Sequence, residues 1–195
     1  MVPFKLTIVQ TRNKYILVAI DYYTKWIEEK ALQDNTTLSM AQFLYECIWC
    51  RYGCPIELIS DQGSHFINEV VKSLVQHDVV VHKRSTVYYP QANGLAESTN
   101  KTLQGILRKI VQANRIDWDR KLHCVLRAYC SSYKTSIRST PFRVAVGVEA
   151  VMPTEFFVLS LRIQVEHKLN ENELKQVRAE ALLRLEEERL NTLRM

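Results

Sequence analysis

The order of apolar and polar runs predicts an α/β protein with a mixed five-stranded sheet and flanking helices. Three observations carry that prediction. Residues 4–32 read as three β-rich runs in succession, and from residue 35 onward helical and strand patterns alternate. Two carboxylates then stand at element boundaries: Asp61 ends a strand-like run and Glu97 opens a long helical pattern, with 35 residues between them. Strands that come first as a meander and then alternate with helices make a sheet of mixed direction with helices on its faces. The interval between the carboxylates suffices for one helix, one strand and one loop, so the helix start can return beside the strand end.

Phe4–Gln10 and Tyr15–Ile20 are rich in β-branched and aromatic residues and are joined by the polar Thr11–Lys14, a hairpin signal. Tyr23–Leu32 supplies a third antiparallel strand, with Trp26 expected on its buried face. Asn35, Thr36 and Thr37 offer an N-cap to a helix that runs to about Arg51, where Gly53 and Pro55 stop it. Glu57–Ser60 is a short strand ended by Asp61, and Gly63 lets the chain turn there. A helix from about Asn68 to His77 and a strand over Val79–His82 follow. From Leu95 to about Asn114, Leu103, Ile106, Leu107, Ile110 and Val111 form an apolar stripe. Glu97, Lys101, Gln104 and Arg108 share a polar face of that helix, bordered by Asn100; the plain alternative is a solvated face with one Glu–Lys pair. Asp117–Tyr129 is a second amphipathic helix, with Leu122, Val125, Leu126 and Tyr129 as its core residues. Leu169–Leu193 is charge-rich and helix-prone, with Leu174, Val177, Ala181 and Leu185 at helical spacing, suited either to packing on the core or to self-association. The expected division is a core domain over residues 1–165 and a charged helical extension over residues 166–195.

Charge narrows the partners. The net charge is +5, but residues 1–82, 83–147 and 148–195 carry −2, +9 and −2 respectively. The excess therefore lies in the segment that contains Glu97 and its helix. A basic segment beside carboxylates placed to hold a divalent metal is what a phosphodiester substrate needs. Five cysteines and no secretory leader pattern predict a reduced, intracellular protein. Cys47 and Cys50 form a C-x-x-C, which can mean zinc or redox chemistry. They sit within the apolar pattern Phe43, Leu44, Cys47 and Ile48 of a helix, with no second pair, and that favours buried, unligated thiols. No run of eighteen apolar residues is present, so no membrane span is expected.

The motifs are more specific than the composition. Ser60-Asp61-Gln62-Gly63-Ser64-His65-Phe66 and Pro90-Gln91-Ala92-Asn93-Gly94-Leu95-Ala96-Glu97 fit S-D-x-G-x-x-F followed by P-Q-x-N-G-x-A-E. They resemble the catalytic core of integrases from retroviruses and gypsy-type LTR retrotransposons, with plant elements the best fit. Tyr15–Trp26 upstream, and Thr140–Phe142 and Gly147–Pro153 downstream, extend the resemblance over roughly residues 4–165. It implies a ribonuclease H-like fold and a two-metal site for Mg²⁺ or Mn²⁺, with Asp61 and Glu97 as catalytic metal ligands. It also implies a DNA partner contacted by Gln91 and Asn93, in a loop over the active site, and by Asn100, Lys101 and Arg108 on the helix. A surface loop without function is the plain alternative for residues 85–94. Gln104 departs from the retroviral pattern, where lysine is common, and the stretch between Ser136 and Pro141 is shorter than in most members.

The resemblance requires a third carboxylate, and there the chain departs. Laying Phe4–Gln10 over the family's first catalytic strand puts Thr7 at the carboxylate position. A neutral hydroxyl is a poor substitute for an anionic metal ligand. Asp21, after the following strand, is expected to cap a turn rather than bind metal. The His and Cys residues lack the spacing of the family's zinc module, and no DNA-binding barrel or chromodomain is recognisable. The expected protein is a catalytic-core fragment of a retrotransposon polyprotein, intracellular and nuclear if functional. A homodimer is compatible with the family, while a membrane and a small-molecule cofactor are not implied. Metal-dependent DNA cutting and strand transfer is one expected function; a catalytically inactive nucleic-acid-binding remnant is the other.

Overall fold

A computed structural model describes residues 2–3, 12–61, 63, 69–84, 94–111, 117–152 and 170–193. The chain forms two compact units, one of Met1–Ile20 with Ile27–Ala128 and one of Asp21–Trp26 with Tyr129–Met195. In the first, β2 (Tyr15–Ile20) is the centre of an antiparallel sheet between β1 (Val2–Pro3) and β3 (Ile27–Leu32). β2 and β3 pair along their whole length, from Tyr15 opposite Leu32 to Ile20 opposite Ile27. Successive strand residues point to opposite faces, so this register sorts the side chains into two layers. Leu17 and Leu32 join Met40, Phe43, Leu44, Trp49, Val71, Val75 and Val80 in one apolar cluster. Ile16, Val18 and Glu29 face the other way, toward Leu103, Leu107, Leu122 and Val125.

The first layer is built on α1 (Thr37–Phe43), capped at Thr36, whose Oγ1 accepts the Ser39 N–H. The helix passes into a π-helical turn, Leu44–Trp49, and then α2 (Cys50–Tyr52), which ends at Gly53 with φ 87°. A π turn brings i and i+5 together, so Leu44 and Trp49 are both buried and Cys50 is turned out to solvent. That corrects the expectation that both thiols of the C-x-x-C are buried: Cys47 is half-buried, its thiol pushed up in pKa by that burial, and Cys50 is exposed.

β4 (Glu57–Ser60) and β5 (Val81–Arg84) form a parallel pair, with α3 (Glu69–His77) between them in sequence. β5 begins two residues later than the sequence suggests, because Val79 has φ 55° and closes a turn while Val80 drops into the apolar cluster. β3 likewise begins at Ile27 rather than Tyr23, since Asp21–Trp26 is a turn. α4 (Gly94–Ile110) and α5 (Leu122–Cys130) supply the second layer; Leu122, Val125 and Tyr129 are buried and Leu126 half-buried. The mixed α/β class is as expected; among the described residues the strands pair in two sheets, β1–β2–β3 and β4–β5, where the sequence suggests a single five-stranded one. The expected first strand, Phe4–Gln10, lies outside the described residues.

In the second unit Trp26 lies 6.1 Å, ring to ring, from Phe142 of α6 (Pro141–Val146). Thr140 caps α6, and Gly147 ends it in the left-handed conformation. A Cβ at Gly147 would also meet Leu185 Cδ2 at 3.0 Å, so α7 (Glu171–Leu193) approaches closely enough that a side chain there would have to displace Leu185. Arg143 holds the same helix pair, donating to Glu188 at 2.9 and 3.0 Å. Along α7, Leu185 is buried while Val177 and Ala181 are exposed, so of these three positions Leu185 alone packs inward.

Candidate metal and nucleic-acid site

Asp61 follows directly on β4, and its half-buried side chain closes a tight turn: the Gly63 N–H donates to Oδ1 at 2.9 Å. Ser60, the last strand residue, is buried; its Oγ lies 3.0 Å from the Asp61 carbonyl oxygen and 2.9 Å from His82 Nε2. Burial and the neighbouring Arg84 push the His82 pKa below its usual value, which keeps the ring neutral at pH 7. The parallel register sets Arg84 opposite Ser60, and Lys83 bridges back to Glu57 at 2.6 Å. The strand end that carries Asp61 therefore has an exposed guanidinium beside it.

Glu97 occupies the first turn of α4, where the helix dipole favours a carboxylate, and Arg108 and Lys109 occupy the last turn, where it favours cations. Glu97, Lys101 and Arg108 are exposed, while Thr99, Leu103 and Leu107 are buried. Asn100 and Gln104 take the flank between these faces. Both are half-buried and line a cavity of about 20 Å³ with Glu29. Gln104 is thus not on the solvent face with Lys101; seven residues carry it round to the edge of the apolar stripe. Asp21 lies in the other unit and serves its turn, with Oδ2 accepting the Thr24 N–H at 2.7 Å and the Thr24 hydroxyl at 2.6 Å.

Neither Asp61 nor Glu97 is engaged by a cation in an ion pair among the described residues, so both can serve as hard oxygen ligands for Mg²⁺ or Mn²⁺. Among the described residues no group of three or more His, Cys, Asp or Glu is placed to hold a metal ion. Gln91, Asn93 and Thr7 lie outside the described residues. Ser60, His82 and Arg84 were missed from sequence. Arg84 had a signal, as one of the first residues of the basic segment; the Ser60–His82 contact depends on strand pairing and had none.

Comparison with known proteins places these features. The fold is similar to that of retroviral integrase catalytic cores, which is ribonuclease H-like. The catalytic core domain of BIV integrase matches with a TM-score of 0.57 at 21% identity, over 68% of this chain and 85% of that one. The HTLV-2 integrase catalytic core domain, solved in complex with magnesium, matches with a TM-score of 0.55 at 15% identity, over 66% and 82%. Residues 4–90 match the Integrase core domain family, and the relatives of the chain are Pol polyproteins of retroviruses and a retrotransposon. It is 29% identical over 137 residues to the Gag-Pol polyprotein of avian reticuloendotheliosis virus, covering 70% of this chain and 12% of that polyprotein. With the Gag-Pol polyprotein of gibbon ape leukemia virus it shares 31% over 137 residues, covering 69% and 8%. With the retrovirus-related Pol polyprotein of transposon 412 of Drosophila melanogaster it shares 21% over 144 residues, covering 74% and 12%. The aligned stretch is thus a small part of each of these polyproteins.

Proposed function

We propose that the chain is the catalytic core of a gypsy-type retrotransposon integrase that binds DNA in the nucleus, with Asp61 and Glu97 as its metal-binding carboxylates. The observation that carries this reading is the placement of Asp61 at the end of β4 and Glu97 in the first turn of α4, in a chain with an integrase-core sequence. A Mg²⁺ or Mn²⁺ held there would activate the attacking oxygen and stabilise the leaving oxygen in an in-line displacement. Lys101 and Arg108, exposed along α4 beyond Glu97, supply phosphate contacts, and Arg84 adds a cation beside Asp61. Gln91, Asn93 and Asn100 complete the proposed DNA contacts, and self-association is part of the reading.

Thr7 favours a second reading, in which the protein binds DNA without processing it. DNA affinity that falls steeply with salt, and more for Lys101→Glu than for Lys175→Glu, supports the proposed surface; equal effects place it elsewhere. Strand transfer with Mn²⁺ then separates the two readings. Little or no activity in the chain as it stands, with gain in Thr7→Asp, assigns the missing carboxylate to that position. Activity in the unaltered chain that is lost in Asp21→Asn would instead make Asp21 the first metal ligand.

A further inference from the structure

The strand that ends in Asp61 is tied at its last residue by a bond that the ladder does not require. In the parallel register Leu58 lies opposite His82 and Ser60 opposite Arg84. Ser60 and His82 are thus diagonal neighbours on one face, and the imidazole reaches across to place Nε2 at 2.9 Å from Ser60 Oγ. A serine hydroxyl has one proton to give. Donated to the Asp61 carbonyl at 3.0 Å, it leaves Oγ to accept from His82 Nε2–H, and the bonds run in one direction from β5 to the main chain of Asp61. On the far side of the same residue, the Gly63 N–H holds Oδ1. Asp61 is therefore fixed at its carbonyl and at one carboxylate oxygen.

Satisfying the buried Ser60 hydroxyl does not need the histidine, because the Asp61 carbonyl already takes its proton. The His82 bond adds orientation. Its removal would free the hydroxyl to rotate and the peptide after Asp61 to tilt, and the carboxylate turns with that peptide. Groups that orient a metal ligand through a hydrogen bond typically cost about tenfold to a hundredfold in metal affinity when they are removed.

We infer that His82 is a positioning residue: through Ser60 Oγ it fixes the main chain at Asp61 and so the direction in which the Asp61 carboxylate faces a divalent metal. This rests on the assignment of Asp61 as a metal ligand, and the test separates the two. Mn²⁺ affinity is titrated on the full chain by the loss of the free-ion paramagnetic signal, alongside thermal melting and the amide resonance of Gly63, which reports the bond to Asp61 Oδ1. His82→Phe, which keeps a ring without a donor, and Ser60→Ala should each weaken Mn²⁺ binding roughly tenfold to a hundredfold. Both should shift the Gly63 amide and leave the melting temperature within a few degrees. His82→Gln, whose amide can still donate, should recover most of the affinity. Lower melting with unchanged affinity and an unmoved Gly63 amide in either variant would show His82 to be structural only and overturn the inference. If Asp61→Asn binds Mn²⁺ as well as the wild type, the metal assignment fails instead. The Gly63 amide then decides on the side chain alone: a shift in His82→Phe upholds the link from His82 to the Asp61 carboxylate, and no shift overturns it.

Discussion

Glu28 and Glu29 are neighbours on one strand and meet opposite fates on the two faces of the β2–β3 ladder. Glu28 points to the α1 face and is 5% exposed, with Arg51 Nη1 at 2.6 Å from one oxygen and the Tyr52 hydroxyl on the other. Glu29 points to the α4 face. Its Oε1 is buried with no hydrogen-bond partner among the described residues, and the residue lines a cavity with Ile16, Val18, Asn100, Leu103, Gln104 and Leu107. Burial, reinforced by the charge of Glu28, pushes its pKa up to about 8. A carboxyl group is thus accommodated either by a cation or by a proton, and the face of the sheet decides which.

The largest expected effect follows from that proton. Unfolded, Glu29 titrates near its ordinary 4.5; folded, it holds its proton to about 8. The folded state therefore binds more protons across this window, and stability falls as pH rises through it, by a total on the order of 5 kcal/mol. Below the window Glu29 is protonated in both states and adds no pH dependence. Glu29→Gln removes the titration, so the variant should exceed the wild type in urea midpoint above pH 8 and approach it in mild acid. Parallel midpoints across the whole range would mean that Glu29 is ionised in the folded protein, and the contrast with Glu28 would collapse.

Much of this fold was legible because periodicity encodes faces. β4 spans the residues expected, Thr36 caps α1 and Gly53 stops α2 as expected, and of the five-residue stripe expected on α4, Leu103 and Leu107 are buried, Ile106 and Val111 half-buried and Ile110 exposed. What escaped depended on departures from ideal periods or on partners distant in sequence. The π turn at Leu44–Trp49 slips the helix phase, which no α-helical wheel anticipates, and it moved Cys50 out of the core. The left-handed Val79 displaced β5, although valine is a poor candidate for that conformation. The positions of Asp61 after β4 and Glu97 in the first turn of α4 are legible because the signals for those elements are local, whereas the Ser60–His82 bond arises only from the pairing of β4 with β5. Glu29 was passed over because a charged residue in an alternating strand reads as solvent-facing, and only the layer of α4 and α5 shows otherwise.

A middle-sized effect sharpens the Glu28 side. Arg51→Ala leaves a nearly inaccessible carboxylate with the Tyr52 hydroxyl but without its guanidinium. The Arg51 side chain is itself 52% exposed, so solvent already screens the pair and the cost should be about 1–2 kcal/mol rather than that of a fully buried ion pair. A double-mutant cycle with Glu28→Gln should recover a large part of this, because the second change removes the stranded charge. Simple additivity of the two changes would show that Glu28 does not depend on Arg51.

The smallest effect lies two residues further along the same face. Lys30 donates to Glu46 at 2.8 Å, a distance close to that of the Arg51–Glu28 pair, but the side chains are 36% and 56% exposed. Both ends stay hydrated when the bond breaks, and ordering two long side chains opposes the Coulomb gain. Lys30→Ala should therefore cost no more than about 0.5 kcal/mol, and salt should erase most of that. Arg51→Ala should keep most of its cost under the same salt, because screening ions reach Glu46 and not the buried oxygens of Glu28. Urea midpoints of both variants at low and high ionic strength make the measurement. If salt reduces the two costs in equal proportion, then burial of the carboxylate is not what distinguishes these pairs, and the account given for Glu28 and Glu29 loses its physical basis.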